Sequence, residues 1–525
     1  MRYCRSYCSL IVALAGPLLS HTAFAQTNVS SFGAKGDGKT DDTAALQRAI
    51  NSTPPGGTLT FGSAGNVYLI SARLVFQPNR TYQGQSTILM SSGVPAHTAI
   101  AKLAYGAANS VTFSGLTFDA NGVGGGIQIA VDGGASLPAS NFNLQNTVIR
   151  NATASPAGPW DGAVYAPVGL INSTISNNRI SNCGYGITVT DLNTVVIANN
   201  RFEGISLGDA VMVVFSPAAF VYGRGIQITG NTGQHLGRMG IELWPSGGNT
   251  AQTSRITGAI ISGNTFSEWN NTATVDTFGI SVMAGQQALV QNNRIIGPAF
   301  GYGIELGAPN SVVSQNTIQG FVTGVILHDS SGSVVSGNML ISQLTDGIEF
   351  SNAPGSRAGV TVSNNSIVNS QSYGILINTS TWGGASINGN FISRAAGSFE
   401  ADATQPYIGI GITPPASPVT VASNLINQTA ASAAAGFSFT GIRVNGDAGS
   451  NAGSTYQGNF IGSQSANVQS IGLFVNTTGG VNGAIVQANS FNGLSAASGG
   501  ASSTGILSDA NLIYNCLQTG PLFNP

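Results

Sequence analysis

The sequence predicts an all-β, single-stranded solenoid: a parallel β-helix closed at its N-terminal end by a short capping helix. Three observations predict it. A short Asn-centred block recurs along most of the chain, a Gly-Ile/Val-x-apolar block recurs between its copies, and an amphipathic segment ended by Pro-Pro-Gly-Gly precedes both.

The Asn-centred block reads LQNTVI around Asn146, ISNNRI around Asn178, IANNRF around Asn200, ITGNTG around Asn231 and ISGNTF around Asn264. It returns at Asn293, Asn316, Asn338, Asn365, Asn390, Asn424, Asn459 and Asn489, with 22 to 35 residues between successive copies. Such a period, rich in Ile, Val and Gly and poor in helix formers, suits stacked β-coils; leucine-rich repeats would carry a fixed Leu pattern and helical repeats a 3.6-residue period. An Asn amide both donates and accepts, and Asn tolerates the left-handed backbone of a tight bend. Stacked at one corner of every coil, these residues are expected to hydrogen-bond along the stack as a structural ladder, not to bind a ligand.

The second block gives GITV at Gly186, GIEL at Gly240, GISV at Gly279, GIEL at Gly303, GVIL at Gly324, GIEF at Gly347 and GILI at Gly374, with later copies at Gly441 and Gly472. Alternation with period two sends the Ile or Val and the last apolar residue inward and the x residue outward. In coil order the outward residues are Thr188, Glu242, Ser281, Glu305, Ile326, Glu349 and Leu376. One outward step further along the same strands come Thr190, Trp244, Met283, Gly307, His328, Ser351 and Asn378. Towards the C-terminus, Arg443, Phe474 and Leu507 are expected on the same face. Roughly 13 coils at ~4.8 Å each make a stack ~62 Å long.

Exposed coil ends would pair with other chains and therefore need covering. Asp42 is the expected N-cap of a helix whose apolar face is Ala44, Ala45, Leu46 and Ile50, stopped by Pro54, Pro55, Gly56 and Gly57. Residues 26–100 are read as this cap with the first coils, and 101–525 as the main β-helix. Residues 1–25 read as an export signal: Arg2 and Arg5, an apolar run from Leu10 to Leu19, and Ala23-Phe24-Ala25 before a cleavage at Gln26. The apolar run is too short to span a bilayer. A secreted or periplasmic protein with no membrane span is expected.

Composition narrows the partners. Charged residues are 7% of the chain, and loss of Arg2 and Arg5 leaves 16 of the 18 basic residues against 20 acidic ones. No basic stripe suggests nucleic acid. Cys183 and Cys516 are the two cysteines left after export; far apart and unframed, they are expected as buried thiols, with pairing left open.

The run VSSFGAKGDGKTDDTAALQRAI, Val29 to Ile50, followed by PPGGTLTFGSAGNVYLIS, resembles the entry motif of the pectate-lyase superfamily, in the branch grouped as rhamnogalacturonase and epimerase-like proteins. The resemblance covers about residues 29–120 and implies a right-handed parallel β-helix whose ligand is a polysaccharide or oligosaccharide. That superfamily holds hydrolases, lyases, C5-epimerases and non-catalytic receptor binders, so the fold does not choose among them. The polygalacturonase blocks Asn-Thr-Asp, Gly-His-Gly and Arg-Ile-Lys and the alginate-epimerase block Asp-Pro-His-Glu are absent. The one Asp-Asp lies in the cap. No catalytic residue can be carried over.

The chemistry must then come from the outward rows. Of six Glu (203, 242, 268, 305, 349, 400), three fall on one line, with Trp244 and His328 beside them. Glu242 and Glu305 are expected two coils apart, ~9.6 Å, close to the ~6.5–9.5 Å of an inverting glycosidase pair. Glu242, Glu305 and Glu349 are the candidate catalytic carboxylates. Trp244, His235, Arg238, His328 and Asp209 are candidate substrate-binding residues, with segment Gln234 to Trp244 expected to gather His235, Arg238, Glu242 and Trp244 together. The competing view is that these Glu are solvated groups on an open sheet. A glycoside hydrolase on a neutral or weakly charged glycan is favoured. A lyase or C5-epimerase, with Arg238, Arg294 or Arg357 as base, and a non-catalytic glycan-binding adhesin are the alternatives. Lys occurs only at 35, 39 and 102, outside the Asn-marked coils. No cofactor is expected; calcium would enter only for a lyase, where Asp329 and Asp346 could join an acidic patch. The oligomeric state is left open.

Overall fold

The computed structural model describes residues 26–103, 110–129, 138–153, 162–216, 223–246, 256–270, 276–351, 357–378, 382–395, 407–412, 418–429, 438–445, 453–464, 469–476, 484–500, 507–509 and 511–514. The export signal, Glu400 and Cys516 lie outside them.

Each coil contributes three short strands, and equivalent strands of successive coils pair in parallel. One coil illustrates the rest: Val312–Ser314 in the first sheet, Thr317–Gln319 in the second and Thr323–Leu327 in the third. The first sheet has 19 described strands and the third 16. Alternation decides the inside. Val313, Ile318, Val325 and Leu327 are all 0% exposed, and equivalent residues of neighbouring coils continue this core along the axis.

The Asn ladder is present. Asn316 donates its backbone N–H to Asn338 Oδ1 at 3.0 Å and its amide to Val290 O and Asn338 Oδ1, both at 2.9 Å. The same pattern runs from Asn178 to Asn511. Two details differ from expectation. Asn146 is exposed and stands one residue before the ladder slot, which Thr147 fills by donating to Asn178 Oδ1. The left-handed bend also belongs to the residue before each ladder Asn, such as Asn177 (φ 57°), Gly263 (φ 66°) and Gln315 (φ 56°). The ladder Asn itself is buried and used for its amide alone.

Glycine in the second block answers a close approach. A Cβ on Gly303 would lie 2.3 Å from Ile318 Cγ2 and 2.6 Å from the Gly324 carbonyl oxygen. The third sheet thus packs directly against Ile side chains of the second.

At the N-terminal end, helix α1 (Thr43–Ser52) buries Ala45, Leu46, Ala49 and Ile50. Ala49 replaces the expected Ala44, which is exposed. Asp42 occupies the N-cap position without capping; its carboxylate accepts instead from Lys35 N at 2.7 Å and Gly36 N at 2.9 Å. Asp41 accepts from Thr43 N at 3.0 Å. Cys183 is a free, buried thiol, pushed up to about 12 by burial. Leu507 lies in a strand of the first sheet, pairing with Ile485, and so departs from the expected row. Among the described residues no helix is long and apolar enough to cross a membrane.

Candidate active site

The third sheet carries the expected outward line. Its register runs Thr188, Met212, Glu242, Ser281, Glu305, Ile326, Glu349 and Leu376, each opposite the next. Met212 is the one member that sequence reading missed, because its coil has Ala210 where the others have Gly. The line is not an open, solvated surface. Ser281 is 0% exposed, Glu242 and Ile326 4%, and Glu305 8%. Carboxylates on a covered floor need partners, and both have them.

Glu242 accepts from Arg238, four residues earlier in the turn entering its strand. The same guanidinium grips Asp209 from two nitrogens, at 2.9 and 2.8 Å, and Met239 N donates to Asp209 Oδ1 at 3.0 Å. One cation therefore serves two carboxylates. Burial first, then the negative charge of Asp209, drives Glu242 well above the usual carboxylate range, only partly offset by Arg238. Burial opposes the Arg238 charge, but Asp209 and Glu242 overcome it and hold its pKa above the ordinary value. Asp209 is completely enclosed. It cannot touch a ligand as the sequence suggested and acts by holding Arg238.

Glu305 has different surroundings. Ser281 Oγ donates to Oε2 at 2.5 Å, and His328 Nε2 lies 3.1 Å from Oε1. On its other side the His328 ring is held by Ser351, whose Oγ lies 2.7 Å from Nδ1. His328 thus tethers Glu305 and does not reach out for a hydroxyl.

A pocket of about 430 Å³ lies over these groups, lined by Met212, Arg238, Met239, Glu242, Trp244, Asp276, Phe278 and Glu305. Trp244 is 38% exposed on its rim. Glu242 and Glu305 are two strands apart, ~9.6 Å at the backbone.

Three expected members are elsewhere. His235 belongs to the strand Thr232–Leu236 of the second sheet, at a left-handed corner (φ 53°), between Glu203 (2.8 Å) and Glu268 (3.2 Å). The chain turns from the second sheet to the third between His235 and Glu242, so nearness in sequence becomes separate faces. Glu349 shares the row but not the pocket; it accepts from Asn378 at 3.2 Å. Arg294 is exposed on the second sheet, away from the carboxylates. Asp346, on the same strand as Glu349, is buried and pushed up to about 8, by burial first and then by Glu349. Sequence reading also missed Asp276, Phe278 and Tyr302. Phe278 and Tyr302 stand just before the Gly of the repeat, three residues from the carboxylate row, where strict alternation points inward, so a period-two reading hides them.

Fold and rows together define a right-handed parallel β-helix protein with a covered, carboxylate-bearing cleft on one sheet. Residues 26–157 match the family model "Rhamnogalacturonase A/epimerase, pectate lyase-like" and residues 240–408 the model "Right handed beta helix region". The fold is that of a right-handed parallel β-helix, and the two matched segments are similar to pectate lyase-like and right-handed β-helix proteins. No curated protein matches it. Among solved structures, gene product 12 of bacteriophage phi29 is similar at 15% identity, with 93% of this chain and 73% of that one covered and a TM-score of 0.52. The catalytic unit of an alpha-1,3-glucanase from Streptomyces thermodiastaticus gives 16% identity, 76% and 67% coverage and a TM-score of 0.48. The A-module of a mannuronan C-5 epimerase from Azotobacter vinelandii gives 16% identity, 95% and 98% coverage and a TM-score of 0.35. At these identities the likeness is one of fold.

Proposed function

We propose that the chain is an exported polysaccharide-active enzyme, a glycoside hydrolase that uses Glu242 as general acid and Glu305 as general base. The single supporting observation is that one pocket is lined by both carboxylates, Trp244 and Arg238. The pectate lyase-like family match supports a glycan as substrate. The two carboxylates have unlike surroundings, which is what separate acid and base duties require. Glu242 sits against Arg238 and buried Asp209, and its raised pKa keeps a proton available for the leaving oxygen. Glu305, oriented by Ser281 and His328, faces the same space and takes a proton from the attacking water. The ~9.6 Å between their strands leaves room for that water and favours inversion. Trp244 offers a rim on which a sugar face stacks.

A lyase is less well supported. β-Elimination needs a base and a neutraliser for the uronate carboxylate. Arg238 is committed to two carboxylates and Arg294 lies on another sheet.

The test is a panel of polysaccharides scored for new reducing ends and for the absorbance of unsaturated uronate, with anomer-resolved NMR on any product. Reducing ends of inverted configuration, lost by at least ~10²-fold in Glu242→Gln and Glu305→Gln with unchanged melting, are expected. Full activity in both variants, or uronate absorbance, overturns the assignment.

A further inference from the structure

A second pocket, of about 180 Å³, adjoins the cleft and is lined by Asp276, Thr277, Phe278, Phe300, Gly301, Tyr302 and Val322. It shares Asp276 and Phe278 with the first, so the two spaces lie side by side at these residues. Phe278 and Tyr302 face each other across neighbouring strands with ring centroids 5.4 Å apart and planes at 28°. Both are half-buried, as is Phe300, while Asp276 is exposed at the mouth. The volume falls below the ~300–1,000 Å³ of sites for drug-sized ligands, which suits one small unit of a longer molecule.

Position on the sheet gives the direction. Trp244 stands two residues along the strand on one side of the carboxylate row, and Phe278 and Tyr302 stand three residues along on the other. From the Trp244 row to the Phe278 row is five residues, ~17 Å at ~3.3 Å each. Aromatic surfaces therefore flank the carboxylates along the strands, across the helix axis. Charge gives the ligand class. Among the described residues that line either pocket Arg238 is the one basic side chain, and Asp209 and Glu242 already occupy it. A uronate ring would meet Asp276 and Glu305, with no free cation among the described lining residues to pair with.

We propose that the pocket of Asp276, Phe278, Phe300 and Tyr302 is a sugar subsite for an uncharged glycan ring, and that the glycan crosses the third sheet along its strands, from Trp244 to this pocket. The proposal rests on the reading of the cleft as a glycan site and adds which side residues hold the chain and what charge it carries.

Native gels cast with galactomannan, xylan, hydroxyethyl cellulose, soluble starch or polygalacturonate read binding apart from cleavage; reducing ends are measured in parallel. At least one neutral polymer is expected to retard the protein, and polygalacturonate is not. Phe300→Ala and Tyr302→Ala are expected to weaken that retardation about three- to tenfold, the worth of one aromatic stacking contact. Asp276→Arg, at an exposed position that carries no packing, is expected to gain retardation by polygalacturonate. Undiminished retardation of both aromatic variants, stronger retardation of the wild type by polygalacturonate, or no retardation by any neutral polymer overturns the proposal. Unchanged KM in the aromatic variants of an active hydrolase removes the subsite alone. Retardation without reducing ends removes the hydrolase alone.

Discussion

Asp346 should make the protein less stable as pH rises, and Asp346→Asn should remove that dependence. The carboxyl is 6% exposed, its Oδ1 has no hydrogen-bond partner, and Glu349 follows three residues later on the same strand. Burial and the Glu349 charge push it from 3.8 up to about 8. The folded chain therefore holds this proton between roughly pH 4 and pH 8 while the unfolded chain releases it. A raised folded value leaves stability full below the unfolded value and drains it through that window. Four units at ~1.4 kcal/mol each set a ceiling of ~5–6 kcal/mol. Water entry and local relaxation reduce this, and ~2 kcal/mol is the expected loss between pH 5 and pH 8. Asn has the same shape and no charge at either pH. Urea midpoints of both proteins at pH 5, 6.5 and 8 measure the effect. The variant should match the wild type within ~1 kcal/mol at pH 5 and exceed it at pH 8. Parallel midpoint curves would refute the reasoning. The same proton makes Asp346 a poor calcium ligand at neutral pH, so 1 mM calcium, a probe concentration on the scale of weak extracellular sites, should leave the midpoint at pH 6.5 unmoved.

Other substitutions test the frame and the cleft. Asn316→Ala strips partners from the buried Asn293 N–H, the Asn293 amide and the Val290 carbonyl. At ~1–3 kcal/mol for each orphaned group it should cost ~3–5 kcal/mol in unfolding experiments, far more than Asn146→Ala, whose side chain is exposed. Gly303→Ala drives a methyl into Ile318 and should cost ~1–3 kcal/mol by the same measurement. Asp209→Asn relieves the charge that helps to raise Glu242, so the alkaline limb of the activity–pH profile should move to lower pH; an unmoved limb with normal kcat would remove Glu242 as the acid.

Much of the architecture was legible because each coil must solve the same problem. Ile304, Val325 and Ile348 point inward for the same reason and show it in sequence as Gly-Ile/Val-x-apolar. The offset of Asn146 from Thr147 was not legible. Two adjacent slots, a left-handed corner and a ladder amide, both favour Asn, and only coordinates tell which one a lone Asn fills. Leu507 failed similarly: a Gly-Ile-Leu-Ser run suits either outer sheet once the coils lose their spacing.

The candidate site shows where repeat logic stops. Glu242 and Glu305 were found because they occupy a repeated position, and their row could be counted. Arg238 and Asp209 belong together for a different reason. Asp209 sits one residue before the glycine slot of its coil, in the row that holds Phe278 in a later one, and Arg238 comes from a turn. A turn has no register, so no periodicity ties Arg238 to Asp209, 29 residues away. His235 shows the converse: adjacency in sequence suggested a shared site, yet a coil bends between it and Glu242. In a solenoid, closeness along the chain within one coil is weak evidence for a shared face, whereas equal position in successive coils is strong evidence. The carboxylate pair meets the second condition. Its cation partner meets the first and needed coordinates to be placed.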